Sequence, residues 1–433
     1  MARMNKRDDN TNDYDVLIVG GGPAGASAAI RLAVAGARVL VAEQKKFPRA
    51  KLCGEFISPE CLAHFAELGV LEQMSAAGGA RVSTTDFYTR GGRKVSVPSA
   101  WFGQGARMVN AQADGNATGA QPDALGLSRA EMDQRLLLRA RAVGVEVLEE
   151  AQGCGLIIED KRVRGVELQR DGATISLRAP VTIDATGRAR ALARRVERAR
   201  RDEDAHANGH AVRGRAPLVA FKAHLSDVQL AAGACEIYFY RGGYGGLSRV
   251  ENGLSNLCFI VSARDVRARH SDAERVLREV VLTNRRAAET LVAARVRSEW
   301  LAVALESFGR WRLVPAKGLL TVGDSAAFID PFTGSGMLMA LESGALAAEV
   351  ITRAWPTLRA TSDFNALAAD YRAHYRARFA ARLRVCSLLR RAAFAPAPLM
   401  TAAALALNAS TRVRRAMARA TRSVVKPTEL GEH

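Results

Sequence analysis

Gly20, Gly22 and Gly25 stand in the spacing GxGxxG within "VLIVGGGPAGASAAI". That spacing is suited to holding a pyrophosphate. The first glycine permits a tight turn, the second lets the backbone approach the phosphates, and the third allows close packing of a helix on a strand. Pro23 and Ala24 open the helix, whose N-terminus presents free N–H groups and a partial positive charge. Glu43 follows Gly25 by eighteen residues and ends a second apolar run. An acid at that point accepts hydrogen bonds from the hydroxyls of an adenosine ribose and disfavours a 2′-phosphate.

A second glycine cluster lies about three hundred residues later, in "TVGDSAAFIDPFTGSGMLMALESG", residues 321–344. Gly323 and Asp324 follow a β-branched run. Pro331 stiffens the next turn, Gly334 and Gly336 remove side chains, and Met337 begins a run of helix formers. Taken together in this order, the two clusters resemble the FAD-dependent oxidoreductase superfamily of aromatic-ring hydroxylases (group A flavin monooxygenases), geranylgeranyl reductases and flavin halogenases. The resemblance extends over most of residues 14–355. It implies FAD as cofactor, with Asp324 on the ribityl hydroxyls, Pro331 against the isoalloxazine ring, and a helix starting near Gly336 and Met337 pointing at the N1–C2=O edge. Reduced flavin is negatively charged there, and a helix N-terminus stabilises that charge.

Further positions follow from the same resemblance. Arg129 in "LSRAEMDQRLL" matches an arginine that reaches the cofactor. Cys53, Gly54 and Glu55 in "KLCGEF" match a segment lining the flavin, and Cys53 and Glu55 are candidates for contact with flavin or substrate. "IDATGR" occupies the place of the family's middle motif, usually written with Asp-Gly; here Asp184 is followed by Ala185 and Thr186 before Gly187, a departure that bears on a nicotinamide contribution but leaves Asp184 and Gly187 expected near the cofactor. Tyr244, in "GGYGGLSRVENG", is a candidate for the substrate cavity and completes the catalytic candidates with Cys53 and Glu55. No general base emerges from the seven dispersed histidines, His64 and His224 among them, and no metal site from the cysteine spacing.

The resemblance also bounds the reaction. Flavin supplies the reactivity, with NADH or NADPH docking transiently as reductant, since no second GxGxxG exists. Halogenation is disfavoured because the WxWxIP signature is missing; "RWRLVPA" holds the single Trp311. Hydroxylation of a hydrophobic secondary-metabolite, polyketide or isoprenoid-like substrate is the leading expectation. Its alternative is reduction of C=C bonds in the manner of geranylgeranyl reductases, although Gly245 and Gly246 after Tyr244 depart from those enzymes' Tyr-x-Trp-Phe-Pro motif. A flavin-binding or basic surface protein without turnover completes the set.

The elements that must position these groups are legible as periodicity. "DYDVLIVGGGPAGASAAIRLAVAGARVLVAEQ" reads strand, turn, helix, strand, with the continuous apolar run expected of a parallel strand buried on both faces. Ser128 caps an amphipathic helix, and residues 217–262 alternate like strands with "ENG" as a hairpin turn. Residues 104–124 read as a loop and residues 195–216 as a polar mobile segment. The fold class is α/β: a Rossmann-like FAD-binding domain of glutathione-reductase type interleaved with a β-sheet-rich substrate domain, followed by a helical tail. FAD-binding segments fall at 14–78, 126–195 and 311–355, substrate-domain strands at 79–125 and 215–310, and a basic helical region at 356–433.

A chain of 433 residues suits such a plan. Its 62 Lys and Arg against 44 Asp and Glu leave a net charge of +18, with many of the arginines after residue 370. No nucleic-acid-reading motif accompanies this charge, so nucleic acid is not expected as a partner. Phe221, Tyr238, Phe239 and Tyr240 fit a hydrophobic small-molecule site. The tail, with Arg372, Arg376, Arg378, Arg382 and Arg384 interleaved with Phe379, Leu383, Val385 and Leu389, admits two readings. It covers the substrate domain with a solvated basic face, the favoured one, or it lies on an anionic membrane as a peripheral contact. Six scattered cysteines and an N-terminus without an apolar core point to the cytoplasm.

Overall fold

The computed structural model describes residues 13–102, 123–205, 218–305, 308–361 and 363–422. Of the expected loop at 104–124, residues 104–122 lie outside them, and Ala124 already belongs to a strand, Ala124–Gly126.

β1 (Val16–Val19) is fully buried and centres a five-stranded sheet in which every pair is parallel. From it the chain turns at Gly20 into α1 (Pro23–Val34) and returns as β2 (Val39–Glu43). α2 (Arg129–Ala142) leads to β3 (Glu146–Glu149), and β4 (Val181–Asp184) and β5 (Leu319–Thr321) complete the sheet. The spatial order is β3-β2-β1-β4-β5. The order therefore reverses between β1 and β4, whose register pairs Val16 with Val181 and Val19 with Asp184. In such sheets a ligand crevice opens beyond the carboxyl ends of the strands at the reversal, here at Gly20 and Ala185.

Two close approaches fix this corner. A Cβ built on Gly25 would lie 2.0 Å from the Gly20 carbonyl oxygen, so only glycine lets α1 sit this close to the strand. Gly20 itself has φ +112°, and a Cβ there would meet the Ala185 carbonyl oxygen at 2.3 Å. On the far side of α1 runs α3 (Gly336–Thr361), packed so tightly that a Cβ on Gly344 would fall 2.2 Å from the Ala24 carbonyl oxygen. Ser27 Oγ donates to the Leu341 carbonyl at 2.9 Å across the same contact. The small residues that made α1 conspicuous in the sequence thus face α3.

The substrate domain is a second sheet of eight strands. Its long members, Leu218–Ser226, Ala234–Tyr240, Gly243–Arg249 and Ser255–Ser262, pair antiparallel in hairpin fashion. Thr84–Tyr88 joins parallel to Ala234–Tyr240 and carries Lys94–Pro98 at its edge. Asn252, in the left-handed region at φ 58°, makes the turn after Glu251.

Two readings of the sequence need correction. Of the segment 195–216, read as irregular and mobile, residues 195–205 belong to a helix, Ala191–Ala205, whose first turn is held by Asp184, and the remainder lies outside the described residues. The division at residue 355 falls inside α3, which runs on through Pro356 to Thr361. The tail then forms α4 (Phe364–Ala393), α5 (Ala397–Ala409) and α6 (Thr411–Ala420). α4 lies on the first domain rather than the substrate sheet. Tyr371, Tyr375 and Phe379 are buried, Tyr371 Oη donates to the Thr321 carbonyl at 2.7 Å, and Arg382 pairs with Glu342 of α3 at 2.7 and 3.2 Å. α6 packs instead at the edge of the substrate sheet, where Arg414 and Arg415 lie over the Trp101 ring.

Candidate functional site

A cleft of about 430 Å³ opens where β1, β2 and β4 end, and it is lined from both glycine clusters. All the cofactor candidates except Gly25 and Asp184 line it. Gly22 is the N-cap of α1, and the nearest atoms to a Cβ there would be Arg129 Nη2 at 3.7 Å and Arg49 Nη2 at 3.9 Å. The free N–H groups of the helix and two guanidinium groups therefore converge on one point. Glu43 is buried at the end of β2, with Oε2 accepting from Gly21 N at 2.9 Å and Oε1 from Lys45 N at 3.1 Å.

Arg129 is held rigidly for this position. Nε and Nη2 donate to both oxygens of Asp133, one turn on in α2, at 2.8 and 2.7 Å. Asp133 is fully buried and also draws in Arg49 Nη1 at 3.3 Å. Burial alone would lower the Arg129 pKa, but Asp133 keeps it above the ordinary arginine value. Lys51 and Arg188 complete a ring of four cations around the cleft. Burial, followed by the charges of Arg49, Arg129 and Arg188, holds the Lys51 ammonium below the usual lysine pKa.

Asp324 sits across the cleft, in a short turn where Gly323 has φ +56° and donates its N–H to Ser343 Oγ at 2.8 Å. Its carboxylate makes no hydrogen bond among the described residues. Burial raises its pKa, and Arg188, Arg129 and Lys51 oppose the rise. Pro331 opens a one-turn helix that ends at Gly334, φ +62°, where a Cβ would press on Phe56 Cδ1 at 3.1 Å. α3 then starts at Gly336, with Gly336 and Met337 on the cleft wall. A ring of cations, a helix N-terminus, an unpartnered carboxylate and glycine-lined walls fit the diphosphate, ribityl and ring portions of FAD.

Two of these candidates, Asp184 and Glu55, stand elsewhere or do something else. Asp184 does not reach the cleft. Its Oδ1 accepts from Thr186 N, Thr186 Oγ1 and Ser325 Oγ at 3.0, 2.6 and 3.1 Å, and its Oδ2 from Leu192 N and Ala193 N at 3.2 and 2.9 Å. It ties β4 to the following helix and to the second glycine cluster. Glu55 borders the cleft, but its carboxylate is fully engaged: by Arg129 N at 2.8 Å, by Lys222 Nζ and by His224 Nε2 at 2.7 Å. Burial would raise its pKa, yet the His224 hydrogen bond and the Lys222 charge bring it below the ordinary value. Glu55, with φ 53°, is thus a clamp between the two domains. Cys53 lies on the cleft wall, its carbonyl accepting from Asn256 Nδ2 at 3.0 Å.

Tyr244 belongs to a second, smaller cavity of about 70 Å³ that shares Gly54, Phe56, Cys258, Ile260, Pro331 and Gly334 with the cleft. Its hydroxyl donates to Asp330 Oδ1 and accepts from Phe332 N at 3.2 Å. The wall is otherwise apolar apart from Thr85, Thr333, Cys235 and Arg422. Arg422, just beyond α6, donates to the Gly334 and Thr333 carbonyls at 3.2 and 3.0 Å and lies over the Phe102 ring. Asp133, Arg49, Lys51, Arg188, Lys222, His224 and Arg422 were all missed by sequence reasoning. Only Arg49 and Lys51, beside Cys53 in "FPRAKLCGEF", carried a local signal.

Comparison with known proteins agrees with this geometry. A family model described as an FAD binding domain matches residues 13–352. The chain is 28% identical over 367 residues to a menaquinone reductase of Mycolicibacterium smegmatis, covering 79% of this chain and 80% of that protein. It is 26% identical over 347 residues to a digeranylgeranylglycerophospholipid reductase of Methanoculleus marisnigri, covering 79% and 77%. Among solved structures, the flavin-dependent brominase Bmp2 superposes with a TM-score of 0.73 at 19% identity, over 94% of this chain and 93% of that one. The last likeness is one of fold.

Proposed function

From the premise that this chain belongs to the FAD binding domain family and is an FAD-dependent oxidoreductase, we propose that it reduces a carbon–carbon double bond in a prenyl-chain or quinone-like substrate. NADH or NADPH serves as the transient reductant. Bound FAD supplies the two-electron redox chemistry. The protein's residues do the rest. Gly20, Gly22 and the N-terminus of α1 receive the diphosphate with Arg49, Lys51 and Arg129 around it. Asp324 would hold the ribityl hydroxyls, and the free N–H groups at the start of α3 would stabilise negative charge on the reduced ring.

One observation carries the choice of reaction: the smaller cavity is lined by a phenol and two thiols, and its nearest carboxylate, Asp330, is reached only through Tyr244. Cys235 and Cys258 are buried thiols pushed up to about 12, and burial, then Asp330, keeps the Tyr244 phenol protonated. No carboxylate or imidazole lines the cavity among the described residues. Activating a phenolic ring for hydroxylation calls for a group that accepts its proton. Saturating a double bond calls instead for a proton source, and Tyr244 is the phenol in this wall that would supply it, by turning its hydroxyl from Asp330 to the substrate. The names of the two reductases above support the same reading.

Hydroxylation remains the second reading, because Gly245 and Gly246 stand beside Tyr244 in place of the aromatic residues of the reductase motif. Mass spectrometry separates the two. Holoprotein with NAD(P)H and a polyprenyl lipid or menaquinone gains two hydrogens per saturated bond if the proposal holds. Incorporation of one oxygen atom from air refutes it.

A further inference from the structure

Ten large apolar side chains are exposed among the described residues, and five of them, Leu388, Phe394, Leu399, Leu405 and Val413, lie between positions 388 and 413. α5 is the centre of this surface. It carries no charged residue; the stripe of Met400, Thr401, Ala404 and Leu407 turns toward the protein, and Asn408 Nδ2 donates to the Lys94 carbonyl at 2.8 Å. Leu399 and Leu405 remain 61% and 50% exposed. An apolar helix left this open in water marks an interaction surface.

The charge around it is one-sided. No Asp or Glu occurs from residue 371 to 428, while Arg390 and Arg391 precede α5 and Arg412, Arg414, Arg415 and Arg419 follow it. On α6, Arg412, Arg415 and Arg419 recur at helical spacing and border one open groove with Thr411. Apolar side chains flanked by arginines are the pattern of a helix lying in the headgroup region of a bilayer.

We propose that α5, with the end of α4 and the arginine stripe of α6, docks this protein on an anionic phospholipid bilayer. The leucines enter the acyl boundary and Arg412, Arg415 and Arg419 meet lipid phosphates. A nucleic acid would use the arginines but leave the uncharged helix between them without a role, so lipid is the occupant that accounts for both features. α6 runs directly from this surface to Arg422 in the wall of the smaller cavity, so docking sets that cavity beside the membrane. No helix among the described residues is long and apolar enough to cross a membrane, so the contact is peripheral. The surface stands whatever the substrate proves to be, because vesicle binding and turnover are read separately.

The test is flotation of the full-length holoprotein with vesicles of phosphatidylcholine alone and with about one-third phosphatidylglycerol. The expected result is binding to the anionic vesicles that weakens as salt rises. L399D/L405D is expected to reduce partitioning at least roughly tenfold while leaving bound flavin unchanged. R412Q/R415Q/R419Q is expected to lose roughly fivefold per arginine and to flatten the salt dependence, which keeps the test decisive should the leucine variant fold poorly. The proposal is overturned if the wild type stays in buffer with both vesicles, or if correctly folded variants float as it does. It is equally overturned if duplex DNA competes fully for the surface and L399D/L405D binds that DNA unchanged.

Discussion

Replacing Gly22 by alanine separates the cofactor's requirement from the fold's. At φ −73° and ψ −177° the residue already has a conformation open to alanine. No protein atom lies closer than 3.7 Å to the new methyl group, and the two nearest are the ends of flexible arginines. The cost to the apoprotein is therefore only that of a poorer N-cap, about 1 kcal/mol at most. The methyl group stands, however, between the α1 N-terminus and the cations that surround the diphosphate. Holding the phosphates off by the width of a methyl forfeits at least one charge-assisted hydrogen bond, about 1.5–3 kcal/mol, or about 10- to 100-fold in affinity. Gly25→Ala is the control, because its Cβ would lie 2.0 Å from the Gly20 carbonyl oxygen and the helix itself must move. Titration of stripped protein with FAD, followed by flavin fluorescence, measures affinity, and thermal unfolding of the apoprotein measures the fold. An affinity within threefold of wild type at unchanged stability would show that the diphosphate does not rest on α1. An apoprotein as unstable as Gly25→Ala would show that the space at Gly22 has been misjudged.

The ring of cations gives a pH signature. Lys51 is held below the usual lysine value in the free cleft, so FAD affinity should fall with rising pH as its ammonium deprotonates, beginning below the ordinary value of about 10.4; Lys51→Met should flatten that limb of the titration. Glu55→Gln leaves the Lys222 ammonium buried against a neutral group and is expected to cost about 3–5 kcal/mol at neutral pH by denaturant unfolding. Because the folded pKa of Glu55 is depressed, its stabilisation is present above the unfolded value of about 4.3 and lost as pH falls through the folded one. The variant should therefore show a shallower acid-side loss than wild type, and parallel curves would count against the clamp. Glu342→Gln should destabilise by roughly 1–3 kcal/mol by removing the bidentate charge partner of the buried Arg382, whereas an E342L/R382M pair should recover most of that loss; equal losses in both variants would place the effect in packing rather than charge.

What could be read in advance was local. Gly20 and Gly25 announce themselves because backbone conformation and close approach admit nothing else, and Ser128 caps α2 by accepting from Glu131 N at 3.2 Å, as its position suggested. The parallel strands were visible as apolar runs because both of their faces are covered. Asp184 shows the limit of this reading. An acid at a strand end beside a glycine has the same local pattern whether it turns to a ligand or to the next helix, and here Leu192 N and Ala193 N decide the matter.

What could not be read was long-range pairing. Glu55 meets Lys222 and His224 across separations of 167 and 169 residues, and Arg422 reaches Gly334 across 88. No periodicity encodes such a meeting, since each partner has an ordinary local context and only the packing of two sheets brings them together. His224 on an exposed-looking strand and Arg422 in a basic tail were unremarkable for that reason. The consequence is physical as well as methodological. The first glycine cluster and α1 are set by short-range sterics and can form a diphosphate site on their own terms. The side of the cleft proposed for substrate is closed by contacts from Lys222, Asn256 and Arg422, all from outside the nucleotide-binding sheet. A shift of the substrate sheet or of the chain beyond α6 would therefore alter the smaller cavity while leaving the diphosphate end intact, and substrate selection can vary on this scaffold without loss of the cofactor.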